Sequence, residues 1–128
     1  MYRVESIQHR AARYTCNRYA RTNSVTQMLT ELDWDSLESR RTKLQLTMFY
    51  KIVNSIVDIP TTPYLTASSS RTRSNHSLTF RHYSPSLDTF RYSFFPRIIP
   101  IWNDLPARTA EAPTSMAHFK VELKKLSI

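Results

Sequence analysis

Guanidinium groups dominate the chemistry this sequence can perform, since thirteen of its eighteen basic residues are Arg. A guanidinium offers a planar fork of donors that fits phosphate oxygens and stacks on rings, as an ammonium does not. Two sets stand out by position. Arg10, Arg13, Arg18 and Arg21 crowd the N-terminal stretch, where Glu5 is the only acid before Thr22, and Arg71, Arg73 and Arg81 lie in and beside a polar segment. Both sets are candidates for contact with the phosphates of RNA or DNA, contacts that position a protein on the strand without reading its sequence. About six of them would make log affinity fall with log salt at a slope near −4 to −5. Tyr14, Tyr19, Tyr83 and Tyr92 could stack on exposed bases.

Other chemistries lack their residues. Polymerase-type phosphoryl transfer needs clustered carboxylates holding two divalent metals. Here Asp58, Asp88 and Asp104 stand apart, and Asp33 and Asp35 flank Trp34 in a predicted helix–helix turn, where Asp35 reads as a cap. His9, His76, His82 and His118 include no i, i+4 pair of the metal-binding kind. Cys16 is alone, which removes an internal disulfide and a CxxC zinc site together. The sequence has no Gly, so a phosphate-cradling loop, a dinucleotide fingerprint and a nucleophile elbow are excluded. No catalytic residue, metal or cofactor is expected.

A length of 128 residues suits a single domain over 1–128. The net charge of +8 and pI of about 10.0 argue for a polyanionic partner and say nothing about fold. No apolar run approaches the ~18 residues of a membrane span. The expectation is an intracellular chain, nuclear or cytoplasmic, neither secreted nor bound to a membrane. Where ~7% Gly is usual, its absence means that left-handed turns fall to Asn or are avoided.

The stretch Tyr92–Pro106, YSFFPRIIPIWNDLP, holds three prolines with Phe94, Phe95, Arg97, Ile98, Ile101, Trp102 and Leu105. Each Pro fixes its own φ and biases the preceding residue toward extended backbone, so Pro96, Pro100 and Pro106 predict a stiff wedge that offers its rings for core packing. Arg97 could contact phosphate or bond local carbonyls. This stretch resembles the SFFPR-x-IP-x-WN-x-LP block that follows the reverse transcriptase domain in non-LTR (LINE-type) retrotransposon polyproteins, on Phe94, Phe95, Pro96, Arg97, Pro100, Trp102, Asn103, Leu105 and Pro106. IQHRAARY at 7–14, LTMFYKIVNSIVDIP at 46–60 and SRTRSNHSLTF at 70–80 are similar to the same region, in the same order.

The resemblance implies a C-terminal fragment of an RNA-directed DNA polymerase. Its parent would perform target-primed reverse transcription with an upstream polymerase domain and a separate endonuclease, and the palm carboxylates have no counterpart here. It also implies a place beside the polymerase thumb, near the template–primer duplex. The family usually carries Gly where this chain has Asp33 and Ser55. The expected role is an accessory nucleic-acid-binding and scaffolding module. The alternatives are a protein-interaction module or a non-functional relic of a decayed element. The Arg-rich start superficially suits a transit peptide, but the resemblance accounts for it as a helix.

The elements that must position these groups read as mainly α, in the α+β class. Val4, Ile7, Ala11 and Tyr14 recur at helical spacing while Arg3, Arg10 and Arg13 fall largely on other faces, giving an amphipathic basic helix that stops at Asn17. Ser24 and Gln27 have capping-box spacing ahead of a Val25, Met28, Leu29, Leu32 stripe. A third helix from Asp35 or Ser36 to about Asn54 carries Leu46, Phe49 and Ile52 and should be the core helix. Charge alternates along this half, basic to Arg21, acidic from Thr22 to Ser39 and basic again to Lys51. Residues 61–77 read as a flexible loop. Alternation at Leu78, Phe80, His82 and at Phe90, Tyr92, Phe94 predicts a short β-hairpin joined through Pro85 and Asp88. Pro113 and Ser115 introduce a C-terminal helix with Met116, Phe119, Leu123 and Leu126 on one side.

Overall fold

The computed structural model describes residues 2–69, 76–111 and 114–126. Their helices are α1 (Tyr2–Cys16), α2 (Val25–Glu31), α3 (Leu37–Val53), α4 (Asp88–Arg91), α5 (Phe94–Asn103), α6 (Ala107–Ala110) and α7 (Met116–Lys125). The chain forms two compact units, Met1–Thr42 and Lys43–Ile128, and α3 runs through the division between them.

In the first unit α1 lies against α2. Ser24 caps α2 by accepting from the Gln27 N–H, as its spacing predicts, while at the start of α3 the Ser36 hydroxyl accepts from the Ser39 N–H, the capping role expected of Asp35. Two side chains of α1 reach the segment that opens α3: Gln8 Nε2 donates to the Asp35 carbonyl (2.8 Å) and the Glu5 carboxylate accepts from the Glu38 N–H (3.1 Å). These bonds fix which side of α1 turns inward. Ala12 and Met28 are fully buried and Gln8 nearly so, while Val4, Ile7 and Tyr14, the stripe that makes the helix amphipathic, are 48, 65 and 78% exposed. The inward side is the one where Ala12 permits close approach and the polar anchors reach their partners. A seven-residue α2 has no second face with which to cover the other.

Three helices end in the same way without a glycine. Asn17, Asp33 and Ser55 have φ of 51°, 52° and 55°. After each, two N–H groups turn back to the last helical carbonyls: Asn17 to Tyr14 and Arg18 to Arg13, Asp33 to Thr30 and Trp34 to Leu29, Ser55 to Ile52 and Ile56 to Lys51. This is the Schellman pattern, in which a left-handed residue lets the chain satisfy orphan carbonyls. A Cβ there crowds the carbonyl, less severely for Asn and Asp, whose side chains bond locally, than for Ser. Asn17 meets the expectation. Asp33 and Ser55 correct it, since these turns are neither given to Asn nor avoided.

The second unit is built on ring packing. Leu46, Phe49 and Tyr50 of α3, Ile98, Ile99 and Trp102 of α5, Leu105, Ala110, and Phe119 and Leu123 of α7 form one buried cluster. Phe49 lies 5.0 Å from Trp102 and edge-on to Phe80, and Tyr50 stacks on Phe119 at 4.3 Å. Offset and edge contacts of this kind add to the area buried. Ser115 caps α7 through the His118 N–H, and Phe119 and Leu123 face the cluster with Met116 and Leu126 at its margin, as their spacing predicts. Pro113 lies outside the described residues.

Two expectations are corrected here. The stretch FFPRIIPIWN is the helix α5 rather than an extended wedge. A φ near −65° suits a helix, and Pro96 is third in it, where an N–H has no intrahelical acceptor in any case. Pro100 forfeits the bond to the Pro96 carbonyl, a cost of about 3 kcal/mol. Burial of Ile98, Ile99 and Trp102 offsets this at about 1.5–3 kcal/mol per side chain.

The β-hairpin is also absent from the described residues. Phe80 forms one antiparallel bridge, with Ala67, closed by Ser68 N–H to Thr79 O (3.0 Å) and Arg81 N–H to Thr66 O (2.8 Å). Phe90 and Phe94, predicted on the second strand, lie in α4 and α5. Three alternating residues do not distinguish a strand from short helical turns, and the edge of Phe80 that a hairpin would pair is taken by a side chain.

Candidate nucleic-acid interface

Successive α1 residues turn by ~100°, which divides the helix into three lengthwise sectors. Gln8, Ala12 and Glu5 face inward. On the outward side Tyr14, Ile7, Ala11 and Val4 form an exposed apolar lane spanning about 80°. Arg3, Arg10 and Arg13 form a second lane of similar width along its edge, with Arg3 and Arg10 exposed and Arg13 half-buried. Glu5, the one acid of α1, is held away by its bond to Glu38. The two lanes therefore carry cations and no carboxylate.

The four N-terminal candidates part company. Arg10 and Arg21 are exposed and, like Arg3, form no ion pair among the described residues. Arg13 donates from Nη1 to the Ala20 carbonyl (3.2 Å), which holds the segment after α1. Arg18 meets both carboxylate oxygens of Glu31 at 3.0 Å, so it neutralises α2 rather than waiting for a ligand. Arg3 belongs with Arg10. Its seven-residue spacing from Arg10 was a legible signal, obscured by the tighter run that follows. In the second unit Arg81 is exposed beside the Ala67–Phe80 bridge. Arg71 and Arg73 lie outside the described residues.

Rings divide in the same way. Tyr14 and Tyr19 (61% exposed) have no ring partner among the described residues, whereas Tyr83 packs edge-on to Phe90 and donates its hydroxyl to the Tyr64 carbonyl. Burial, then the neighbouring Tyr64, pushes the Tyr83 phenol above its ordinary pKa. Tyr92 is exposed, and Phe95 stacks on Tyr64 at 4.7 Å.

The Trp-Asn pair of α5 is a clamp. Trp102 Nε1 donates to the Leu78 carbonyl (2.8 Å), and the Trp102 carbonyl meets His76 Nε2 at 2.9 Å. His76 is buried, and its Nδ1 accepts from the Leu78 N–H, so the proton must sit on Nε2 and be donated to Trp102. The Asn103 amide accepts from the Phe80 N–H (3.0 Å) and donates to the Phe80 carbonyl (2.8 Å), standing in for a neighbouring strand. Leu105 is buried and Pro106 accepts from Thr109 and Ala110 to open α6, while Arg97 is exposed on α5.

No group of three or more His, Cys, Asp or Glu among the described residues could hold a metal. No helix among them is long and apolar enough to cross a membrane. Comparison with protein-family models, curated proteins and solved structures gives no match to this chain.

Proposed function

We propose that the chain is the non-catalytic C-terminal region of a non-LTR retrotransposon RNA-directed DNA polymerase, acting as an accessory module that binds RNA or DNA through the phosphate backbone and scaffolds the polymerase thumb of its parent. The observation that carries the binding role is the cationic lane of α1. Arg3, Arg10 and Arg13 share one side while the only acid of the helix is bonded elsewhere. The family reading draws support from two features. Of the stretches that carry the resemblance, 70–80, 46–60 and 92–106 each supply a member to the Phe80–Phe49–Trp102 contacts and the Asn103 clamp. Two of the three left-handed residues among those described, Asp33 and Ser55, fall where the family usually places Gly.

Fluorescence anisotropy of the whole chain with labelled RNA and single-stranded DNA, titrated across salt, tests the binding role. Four phosphate contacts, from Arg3, Arg10, Arg13 and Arg21, predict a log–log slope near −3. Tight binding without a salt slope contradicts the phosphate reading. For the origin, an open reading frame immediately upstream that encodes the palm carboxylates is the expected genomic context.

A further inference from the structure

The cationic lane of α1 runs beside an apolar lane that the fold leaves uncovered, and the binding role just proposed does not need the second one. A duplex presents phosphates, sugars and their hydration to a convex helix, so against Tyr14 and Ile7 it would desolvate polar groups with nothing to pair them. An unpaired strand differs. Its bases expose flat apolar faces at the same spacing as its phosphates, and proteins that hold such strands set rings beside guanidinium groups. The α1 surface has this composition: Tyr14 is 78% exposed with no ring partner among the described residues, Arg10 lies one turn before it, and Arg3 and Ile7 continue the two lanes toward the helix start. Tyr19, 61% exposed, follows three residues after the helix, in the segment that Arg13 holds by the Ala20 carbonyl.

We propose that the outward side of α1 is a single-strand site, in which Tyr14 stacks on an unpaired base while Arg10, one turn before it, takes an adjacent phosphate, Arg3 takes one farther along the strand, and Tyr19 extends the stacking surface past the helix end. This rests on the nucleic-acid reading and narrows its ligand to unpaired strands. An acidic amphipathic helix would match the charges too. The lane offers such a partner four side chains strung along a convex helix, Val4, Ile7, Ala11 and Tyr14, whereas the hot spots of a protein interface cluster in well-packed, desolvated pockets.

The test uses the whole chain and three labelled probes of equal length: a base-bearing single strand, the same backbone with abasic sites, and the duplex. Stacking on one ring is worth about 1–3 kcal/mol, so the base-bearing strand should bind roughly fivefold or more tightly than the abasic one. Tyr14→Ala should erase most of that difference while Tyr14→Phe keeps it. Arg10→Gln should weaken base-bearing and abasic strands alike and flatten the salt slope by about 0.7. Tyr14 is exposed and Ala favours helix, and circular dichroism checks that each variant folds. Equal affinity for base-bearing and abasic strands, or tighter binding of the duplex, overturns the single-strand site and leaves the phosphate reading standing. Binding to no probe, together with capture of an acidic amphipathic peptide, overturns both.

Discussion

The two units spend their apolar side chains in opposite ways. Unit 2 turns Phe49, Trp102 and Phe119 inward and packs the two phenyl rings at a tilt against the indole, whereas unit 1 seals only Ala12 and Met28 among its described apolar residues and leaves Val4, Ile7, Tyr14 and Tyr19 in water. Polar bonds follow the same division. In unit 2 the Trp102 and Asn103 side chains lock a neighbouring segment to the core, while in unit 1 Glu5 and Gln8 anchor α1 by the side opposite its amphipathic stripe. An amphipathic pattern thus says where apolar residues lie on a helix, and anchoring bonds decide which side is covered. A core holds one unit together; an open face is what the other has to offer.

The contrast breaks most severely at Trp102. Trp102→Ala should cost about 3–5 kcal/mol through the cavity it leaves and the loss of its bond to Leu78, lowering the midpoint of denaturant unfolding measured by near-ultraviolet circular dichroism. Asn103→Ala should cost about 2–3 kcal/mol, because the Phe80 N–H and C=O both lose their partner in a largely buried place. Asn103→Asp sharpens that result. It keeps an acceptor for the Phe80 N–H but sets a carboxylate oxygen against the Phe80 carbonyl, so it should not rescue stability.

Ser55→Gly should raise stability by about 1 kcal/mol, and Asp33→Gly by less, through relief of the left-handed turns, read as shifts in thermal midpoint. The smallest effect concerns acid. The bond from the Lys125 ammonium, with weaker help from His118 and Arg108, holds the Glu122 carboxyl below its ordinary pKa of 4.5. A depressed folded pKa gives stability that is complete above the unfolded value and is lost as pH falls through the folded one. Glu122→Gln should therefore flatten the loss of thermal midpoint on acidification below about 4.5 and leave its profile near neutrality unchanged.

Much of the helical framework was legible because its signals are local. Ser24 and Ser115 cap where the spacing placed them, the hydroxyl that caps α3 is that of Ser36, one residue after the expected Asp35, Asn17 stops α1, and the Phe119–Leu123 stripe of α7 meets the core. What escaped depends on contacts distant in sequence. Nothing near Phe80 announces that Asn103, 23 residues on, will occupy its free edge and remove the reason for a second strand. Pro96 and Pro100 read as helix breakers because the reward for tolerating them, burial of Ile98 and Trp102, exists only once α3 is in place. In the candidate site the density of Arg was plain. That Arg18 would be consumed by Glu31, and that Arg3 would join Arg10, required the helix and its neighbour.

The proposed binding role requires that the first unit, and not the second, meet the ligand. An amide-resolved nuclear magnetic resonance titration of the whole chain with a short single-stranded oligonucleotide reads this directly. Shift changes should concentrate on Arg3, Ile7, Arg10, Arg13, Tyr14, Tyr19 and Arg21, with α5 and α7 unmoved. Changes centred on Arg81 and the second unit, or none at concentrations that saturate binding, would contradict it.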